Sequence, residues 1–452
     1  MIPSDLERRI GIGFYSTTSQ GIGGRLRQTP DDFIVKEVLA NEMIAEPGGQ
    51  YRAQRDTGGF LVCILEKRGL DTFTAIRRIA EKLNIGENRI DFAGLKDANA
   101  LTYQFITIQR IRPSKIQGLQ IDGVKLQSLY RSNRPITSEE LVGNRFKISI
   151  QKIELQKKSL RRRIDAIQTE ILREGGIPNF FGYQRFGTFR PITHTVGKSI
   201  LIGDCRQAVL TYLLEPNLKE KPYLSKIRGE LSDTMDFEKA LRVFPKKLEY
   251  ERILLSHLSR RPNDYVNAIR KLPIGLRRLF IHAYQAYLFN RILSERVRCN
   301  LSLTEAETGD RVCELDPYGN PKGTPIKVDQ ENAHTVSERI DKGRMGIVLP
   351  ILGFDTSTSD NEQGRIEKRI MKEERIQNEV FLTPAMPEMK AYGGYRTVIA
   401  KTRMIAKLEI RKEPLKRAGF MVDVRFSLPK GSYATVVLRE FMKADDPTKA
   451  MY

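Results

Sequence analysis

Apolar positions along the chain recur with two periods, and the change from one to the other marks the elements. After a turn containing Thr29-Pro30-Asp31-Asp32, the run Phe33-Ile34-Val35-Lys36-Glu37-Val38 predicts a strand, and Phe60–Lys67 predicts another. Asp71 then stands as the N-cap of a helix with Ala75, Ile76, Ile79, Ala80 and Leu83 on one face. Beyond the loop Asp91–Asp97, Tyr103–Ile108 is β-rich and Asn144–Ile150 alternates as a half-buried strand does. A helix is predicted over 156–174, with Ile164, Ile167 and Ile171 inward, a basic cluster from Lys157 to Arg163 near its start, and Gly175-Gly176 ending it. A longer helix is predicted over 275–298, apolar at Leu276, Leu279, Phe280, Ala283, Tyr287 and Phe289 and basic at Arg277, Arg278, Arg291, Arg296 and Arg298. Residues 300–345, rich in turn formers, predict short strands in a small irregular subdomain, and 364–380 a charged helix. Met421–Leu428 alternates again, Pro429-Lys430-Gly431 breaks it, and Ser432 is placed to cap a helix over about 433–443.

A chain of 452 residues exceeds one ordinary core and implies two or three domains. Its 40% hydrophobic and 29% charged content fits a folded, soluble protein. No run approaches the roughly 18 apolar residues of a transmembrane helix, and the first residues lack the apolar core of a secretory signal. A cytoplasmic location is expected. Cys63, Cys205, Cys299 and Cys313 are widely spaced and read as free thiols.

The net charge of +21 points to a polyanionic partner, and its distribution sharpens that. It is zero over residues 1–100, +11 over 101–200, +8 over 201–300, −4 over 301–400 and +6 over 401–452. The basic surface is thus expected from the middle and the C-terminal end, with the acidic stretch facing away. Nucleic acid fits this footprint better than an anionic membrane, because no long basic amphipathic segment with aromatic anchors occurs.

Several chemistries are excluded by what the chain lacks. There is no G-x-x-x-x-G-K-[ST], no G-x-G-x-x-G between strand and helix, no H-x-x-x-H spacing among the four histidines and no G-x-S-x-G. An enzyme of this sequence is expected to work without metal or organic cofactor, through carboxylates, hydroxyls, Lys or Tyr.

Three strings carry candidate chemistry. In Phe92-Ala93-Gly94-Leu95-Lys96-Asp97-Ala98-Asn99-Ala100, small residues leave Asp97 open to a substrate and a cation would keep it ionised. The same residue could simply close an Asx-turn. In Asn179-Phe180-Phe181-Gly182-Tyr183-Gln184-Arg185-Phe186-Gly187, the aromatics form either a base-stacking platform or a core turn, with Arg185 the functional candidate. Leu428-Pro429-Lys430-Gly431-Ser432-Tyr433-Ala434-Thr435 could receive an anion at its helix start or be an ordinary strand–turn–helix. The basic helix 275–298 is either an RNA face or a solvated one, and His282 reads as structural.

In this order, together with Thr29–Phe33, Gly143-Asn144-Arg145-Phe146 and Arg439-Glu440, these strings resemble the TruD family of tRNA pseudouridine synthases over residues 29–440. The resemblance implies an α+β protein: a pseudouridine synthase core with a mixed, largely antiparallel sheet and a large inserted α/β domain. The core would comprise residues 1–175 and 396–452, and the insertion 176–395. It implies a catalytic Asp97 and a uridine pocket lined by Asn144 and Phe146, with Phe33 and Tyr433 nearby. The substrate would be tRNA, at the uridine of position 13, and no cofactor would be needed. A basic group must hold the aspartate anionic and aimed; Lys96 is adjacent and Arg27 is the second candidate, with Arg185 supporting. A monomer is expected. The competing reading is a non-catalytic tRNA- or rRNA-binding protein on the same fold, for which Asp97 would be dispensable.

Overall fold

The structure, a computed structural model, describes residues 2–49, 57–217, 220–412 and 419–452. In chain order its strands are β1 (Phe33–Leu39), β2 (Phe60–Arg68), β3 (Ile90–Phe92), β4 (Leu101–Gln109), β5 (Val124–Ser132), β6 (Leu141–Ile153) and β7 (Ile177–Pro178). There follow β8 (Arg311–Leu315), β9 (Pro321–Lys327), β10 (Met345–Ile351), β11 (Gly394–Thr397), β12 (Ile399–Ala400), β13 (Arg403–Lys412) and β14 (Phe420–Pro429).

Eight of these form one mixed sheet in the order β13-β14-β6-β1-β4-β2-β5, with β3 added beside β4. β1 runs parallel to β4, and every other pair is antiparallel. The protein is therefore α+β, with the mixed, largely antiparallel sheet that the family resemblance implies. The register sets which side chains share a face. Val35 lies opposite Phe146, which lies opposite Phe426 on the other flank. One step of two residues along, Glu37, Asn144 and Leu428 are in line. Because strand side chains alternate, Phe33, Val35, Asn144 and Phe146 project from the same face.

Two predicted helices pack on this sheet much as their periodicity requires. Thr72–Leu83 is capped by Asp71, whose carboxylate accepts from the Thr74 N–H, and ends at Asn84 in the left-handed region. Its Ala75, Ile76, Ile79 and Ala80 join Leu61, Cys63, Leu65, Ile106 and Ile108 in one core. Lys157–Arg173 buries Leu160, Ile164, Ile167 and Ile171 in the main core with Ile148, Val422 and Val424. Burying each such aliphatic side chain contributes about 1.5–3 kcal/mol.

Between β7 and β12, which pair with each other, run a helical segment and a four-stranded sheet of order β11-β10-β8-β9. Short strands do occur between residues 300 and 345, as predicted. The charged helix is shorter than predicted: it covers Glu362–Glu374, Arg375 turns left-handed, and a 3-10 turn follows over Asn378–Leu382.

The long helix spans Ile274–Arg298, but its arginines do not make a basic face. Arg296 is fully buried and paired with Asp310, Arg291 with Glu373 and Glu374, Arg277 with Glu388, and Arg298 with Glu295. Of the five, only Arg278 has no ion-pair partner among the described residues. Most of these partners come from distant segments, so the pairing is a tertiary effect that the helix sequence alone does not carry.

A buried polar network closes the core. Arg439, on the helix Ala434–Met442, lies 2.7 Å from Glu7 Oε1 and 2.8 Å from Glu440 Oε1. The Tyr183 hydroxyl donates to Glu7 at 2.8 Å, and Glu440 accepts from the Thr17 N–H. A charge this deep requires such partners, and removing one leaves the other unpaired. Among the described residues, no helix is long and apolar enough to cross a membrane.

Candidate active site

The loop between β3 and β4, the shared face of β1 and β6, and the turn after β14 converge on one cavity of about 280 Å³. Asp97 and Lys96 enter from the loop, Phe33 from the start of β1, Asn144 and Phe146 from β6, and Tyr433 from the turn. Five predicted pocket residues separated by up to several hundred positions thus meet at one place.

Asp97 does not close an Asx-turn. Its carboxylate takes a hydrogen bond from Arg27 Nη2 at 2.7 Å, and it is the more open partner, with 34% of its side chain exposed against 9% for Arg27. The Arg27 guanidinium also lies 4.3 Å from the centroid of the Phe33 ring, a cation–π contact that fixes its plane. Of the two predicted cations, Arg27 therefore meets Asp97. Lys96, the sequence neighbour, turns the other way. Its Nζ lies 2.7 Å from Glu37 Oε1, and Glu37 Oε2 accepts from the Phe105 N–H at 2.8 Å.

A third cation holds the loop from beneath. Lys67, fully buried near the end of β2, donates to the carbonyls of Leu70 and Asp97, each at 2.7 Å, and lies 3.4 Å from the carbonyl of Lys96. Burial pushes its ammonium down to about 8, against the pull of Asp97 and Asp71. Sequence reading missed Lys67, although a signal existed: period 2 puts it on the same face as Leu61, Cys63 and Leu65, where a charge needs a reason.

The walls are aromatic. Phe33 and Phe146 meet edge to face with centroids 6.4 Å apart, and Phe146 stacks on Phe426 at 5.2 Å. Tyr433 is half-buried, edge-on to Phe181 at 6.1 Å. Asn144 Oδ1 is buried at the wall and accepts no hydrogen bond from the described residues, so it is an acceptor available to a guest.

The aromatic string resolves as core, since Phe180, Phe181, Tyr183 and Phe186 are all buried. Its contribution to the cavity is Gln184, which accepts from the Thr435 hydroxyl at 3.0 Å. Arg185, the predicted functional member, does not line the cavity. It sits 5.7 Å from the Phe181 ring, with a buried Nε that has no hydrogen-bond partner among the described residues. Ser432 does not cap the last helix; its hydroxyl donates to Asn179 Oδ1 at 3.0 Å, and Tyr433 takes the cap position without a side-chain bond. His282 is exposed, not a buried structural histidine. Partial desolvation together with Arg185 and Arg278 lowers its pKa.

With this geometry in view, comparisons with known proteins are specific. The family model described as tRNA pseudouridine synthase D (TruD) matches residues 9–441. A Methanosarcina acetivorans protein named "Probable tRNA pseudouridine synthase D" is 38% identical over 442 residues, covering 98% of this chain and 97% of its own. A Thermococcus sibiricus protein of the same name is 36% identical, covering 95% and 97%. The crystal structure of a Methanosarcina mazei protein assigned to TruD superposes with a TM-score of 0.80 at 36% identity, covering 98% of this chain and 99% of that one.

Proposed function

The chain belongs to the tRNA pseudouridine synthase D (TruD) family, and on that premise we propose that it is an isomerase converting a uridine of tRNA, at position 13, to pseudouridine with Asp97 as its catalytic residue. The observation that carries this reading is the Arg27–Asp97 ion pair at a cavity walled by Phe33, Phe146, Asn144 and Tyr433. The reaction breaks the N1–C1′ bond, turns the uracil and rejoins it through C5. Every atom is conserved, so the chemistry calls for neither metal nor nucleotide.

The residues have separable parts in it. The uridine leaves its stack to enter the cavity, which costs a few kcal/mol, offset by phosphate contacts elsewhere. Arg27 pairs with the Asp97 carboxylate and aims it at the ribose, where it acts as nucleophile at C1′ or as base at C2′. Phe33, Phe146 and Tyr433 retain the detached uracil, which has no covalent tether while it turns. Asn144 Oδ1 is placed to accept from the uracil N3–H. Lys96 works at a distance, by neutralising the buried Glu37, and Arg185 supports the aromatic segment behind Tyr433.

The test is tritium release from tRNA transcripts labelled at uridine C5. Wild-type protein should release tritium and Asp97→Asn should not, while a transcript with cytidine at position 13 should be inert. Equal release by Asp97→Asn would remove Asp97 from the chemistry. Release from the position-13 variant would move the target elsewhere.

A further inference from the structure

A second cavity, about 790 Å³, lies in the helical segment between residues 241 and 271 and shares no residue with the Asp97 cavity. Five of its side chains are cationic, Lys246, Arg252, Arg260, Arg261 and Lys271, against the single carboxylate of Glu249. Four buried or half-buried arginines elsewhere are neutralised: Arg190 with Glu251, Arg228 with Glu220, Arg291 with Glu374 and Arg296 with Asp310. The cavity differs. Among the described residues, Lys246, Arg252, Arg260 and Lys271 have no carboxylate partner, and Arg261 has only a 3.9 Å approach to Asp264, which is already engaged by His257 at 3.0 Å. Arg252 is nevertheless held in place, since its Nη1 donates to the carbonyls of Leu241 and Phe244, both at 2.7 Å. Neutral acceptors fix the guanidinium without cancelling its charge.

Cations gathered without counter-charge repel one another, and an anionic ligand relieves that repulsion. Among the described residues no Phe, Tyr or Trp lines the cavity, and its one imidazole, His257, is engaged by Asp264 at 3.0 Å, so the groove offers no free platform for a base. Guanidinium and ammonium groups without stacking partners recognise phosphate. We propose that this groove is a second RNA contact, which takes consecutive phosphates of the tRNA backbone away from the reacting uridine. The inference rests on the reading of the chain as a tRNA enzyme. It adds that affinity is carried partly by a site whose loss leaves the chemistry intact.

The test is a triple variant at exposed positions, Arg260→Gln, Arg261→Gln and Lys271→Gln, in the full chain, with its melting curve recorded beside the wild type. Binding of unmodified tRNA is measured over a range of salt concentrations, and single-turnover tritium release at saturating tRNA. The expected result is a Kd about tenfold weaker or more near 0.15 M salt, a slope of log K against log salt shallower by about 2, and an unchanged saturated rate. An unchanged Kd and slope in a folded, active variant would overturn the groove and leave the assigned activity standing. A saturated rate that falls with Asp97 intact would overturn the separation of binding from chemistry. Absence of tritium release by the wild type would instead overturn the reading on which the inference rests.

Discussion

Lys67 Nζ lies 2.7 Å from the main-chain carbonyl oxygen of Asp97, so the backbone of the candidate catalytic residue is held by one cation while its carboxylate is met by another, Arg27. The two cations differ in chemistry. A guanidinium stays protonated at any working pH, whereas the buried Lys67 ammonium is pushed down to about 8. As pH rises through that value, Lys67 loses a proton and can no longer serve three carbonyls with three donors. Activity is expected to fall above about pH 8, in kcat more than in KM. Lys67→Arg should shift that limb upward, and Lys67→Met should reduce kcat about tenfold or more at pH 7 by leaving buried carbonyls without donors. A wild-type pH profile flat beyond 9 would show that Lys67 does not titrate where its burial places it.

Truncating Arg27 tests the pair on its other side. Arg27→Ala should lower the single-turnover rate about a hundredfold, the order of 2–4 kcal/mol, by removing the cation and its contact with Phe33. Arg27→Lys keeps the charge but loses the flat face over the ring, and should fall between. A wild-type rate in Arg27→Ala would mean that the pair does not orient the carboxylate.

Gly182 stands behind Tyr433 with no room to spare. A Cβ there would meet Tyr433 Cδ1 and Thr435 Oγ1, each at 2.9 Å. Its backbone is in the extended region, so the constraint is contact and not conformation. Gly182→Ala should push the Tyr433 ring into the cavity, with a loss of activity of about tenfold and a stability loss of about 1–3 kcal/mol. Tritium release and urea denaturation measure the two. Full activity would mean that the ring yields outward.

His194 predicts the acid limit of stability. It is buried between Tyr287, stacked at 4.9 Å, and Phe186, edge-on at 5.4 Å. Burial pushes its imidazole down to about 4, against the pull of Glu374. The folded value lies below the unfolded one of about 6.5, so the unfolded chain binds more protons between them. Stability should therefore fall as pH drops from 6.5 to 4, by about 3 kcal/mol from this group. Denaturant titrations at pH 7 and pH 4.5 should show a smaller difference in His194→Gln. Equal differences would place the acid sensitivity elsewhere.

The sequence was most legible where chemistry and period coincide. Phe33, Asn144 and Phe146 sit at alternate positions of strands that the patterning predicts, but only the family resemblance singles them out as pocket residues; Asp97, in a loop of small residues, is a candidate from its chemistry, and the resemblance alone makes it the catalytic one. Lys67 and Gln184 could not be named in the same way, because their roles are set by groups from other segments: Lys67 by the carbonyls of residues 70, 96 and 97, Gln184 by Thr435. The arginines of the helix Ile274–Arg298 show the same limit in reverse. They read as a basic face, for RNA or for solvent, because Glu373, Glu374, Glu388 and Asp310, which neutralise them, lie in other segments. Arg185 was singled out for its company of aromatics, yet those rings are core and leave it outside the cavity.

The pairing of β6 with β14 also has a consequence in time. β6 ends at Ile153 and β14 begins at Phe420, so a ribosome adding about 5–20 residues per second emits one strand roughly 15–50 s before the other. During that interval the nascent chain already carries Arg27, Asp97 and Phe146, while one side of β6 presents a row of unpaired backbone groups, a ready template for the wrong neighbour. Phe426, Tyr433 and Thr435 arrive together at the end, and the same event covers the open edge and completes the cavity wall. A message cut short before that point would yield a protein with the aspartate but no closed pocket, so the fold itself ties the capacity to alter RNA to synthesis of β14 and the turn after it.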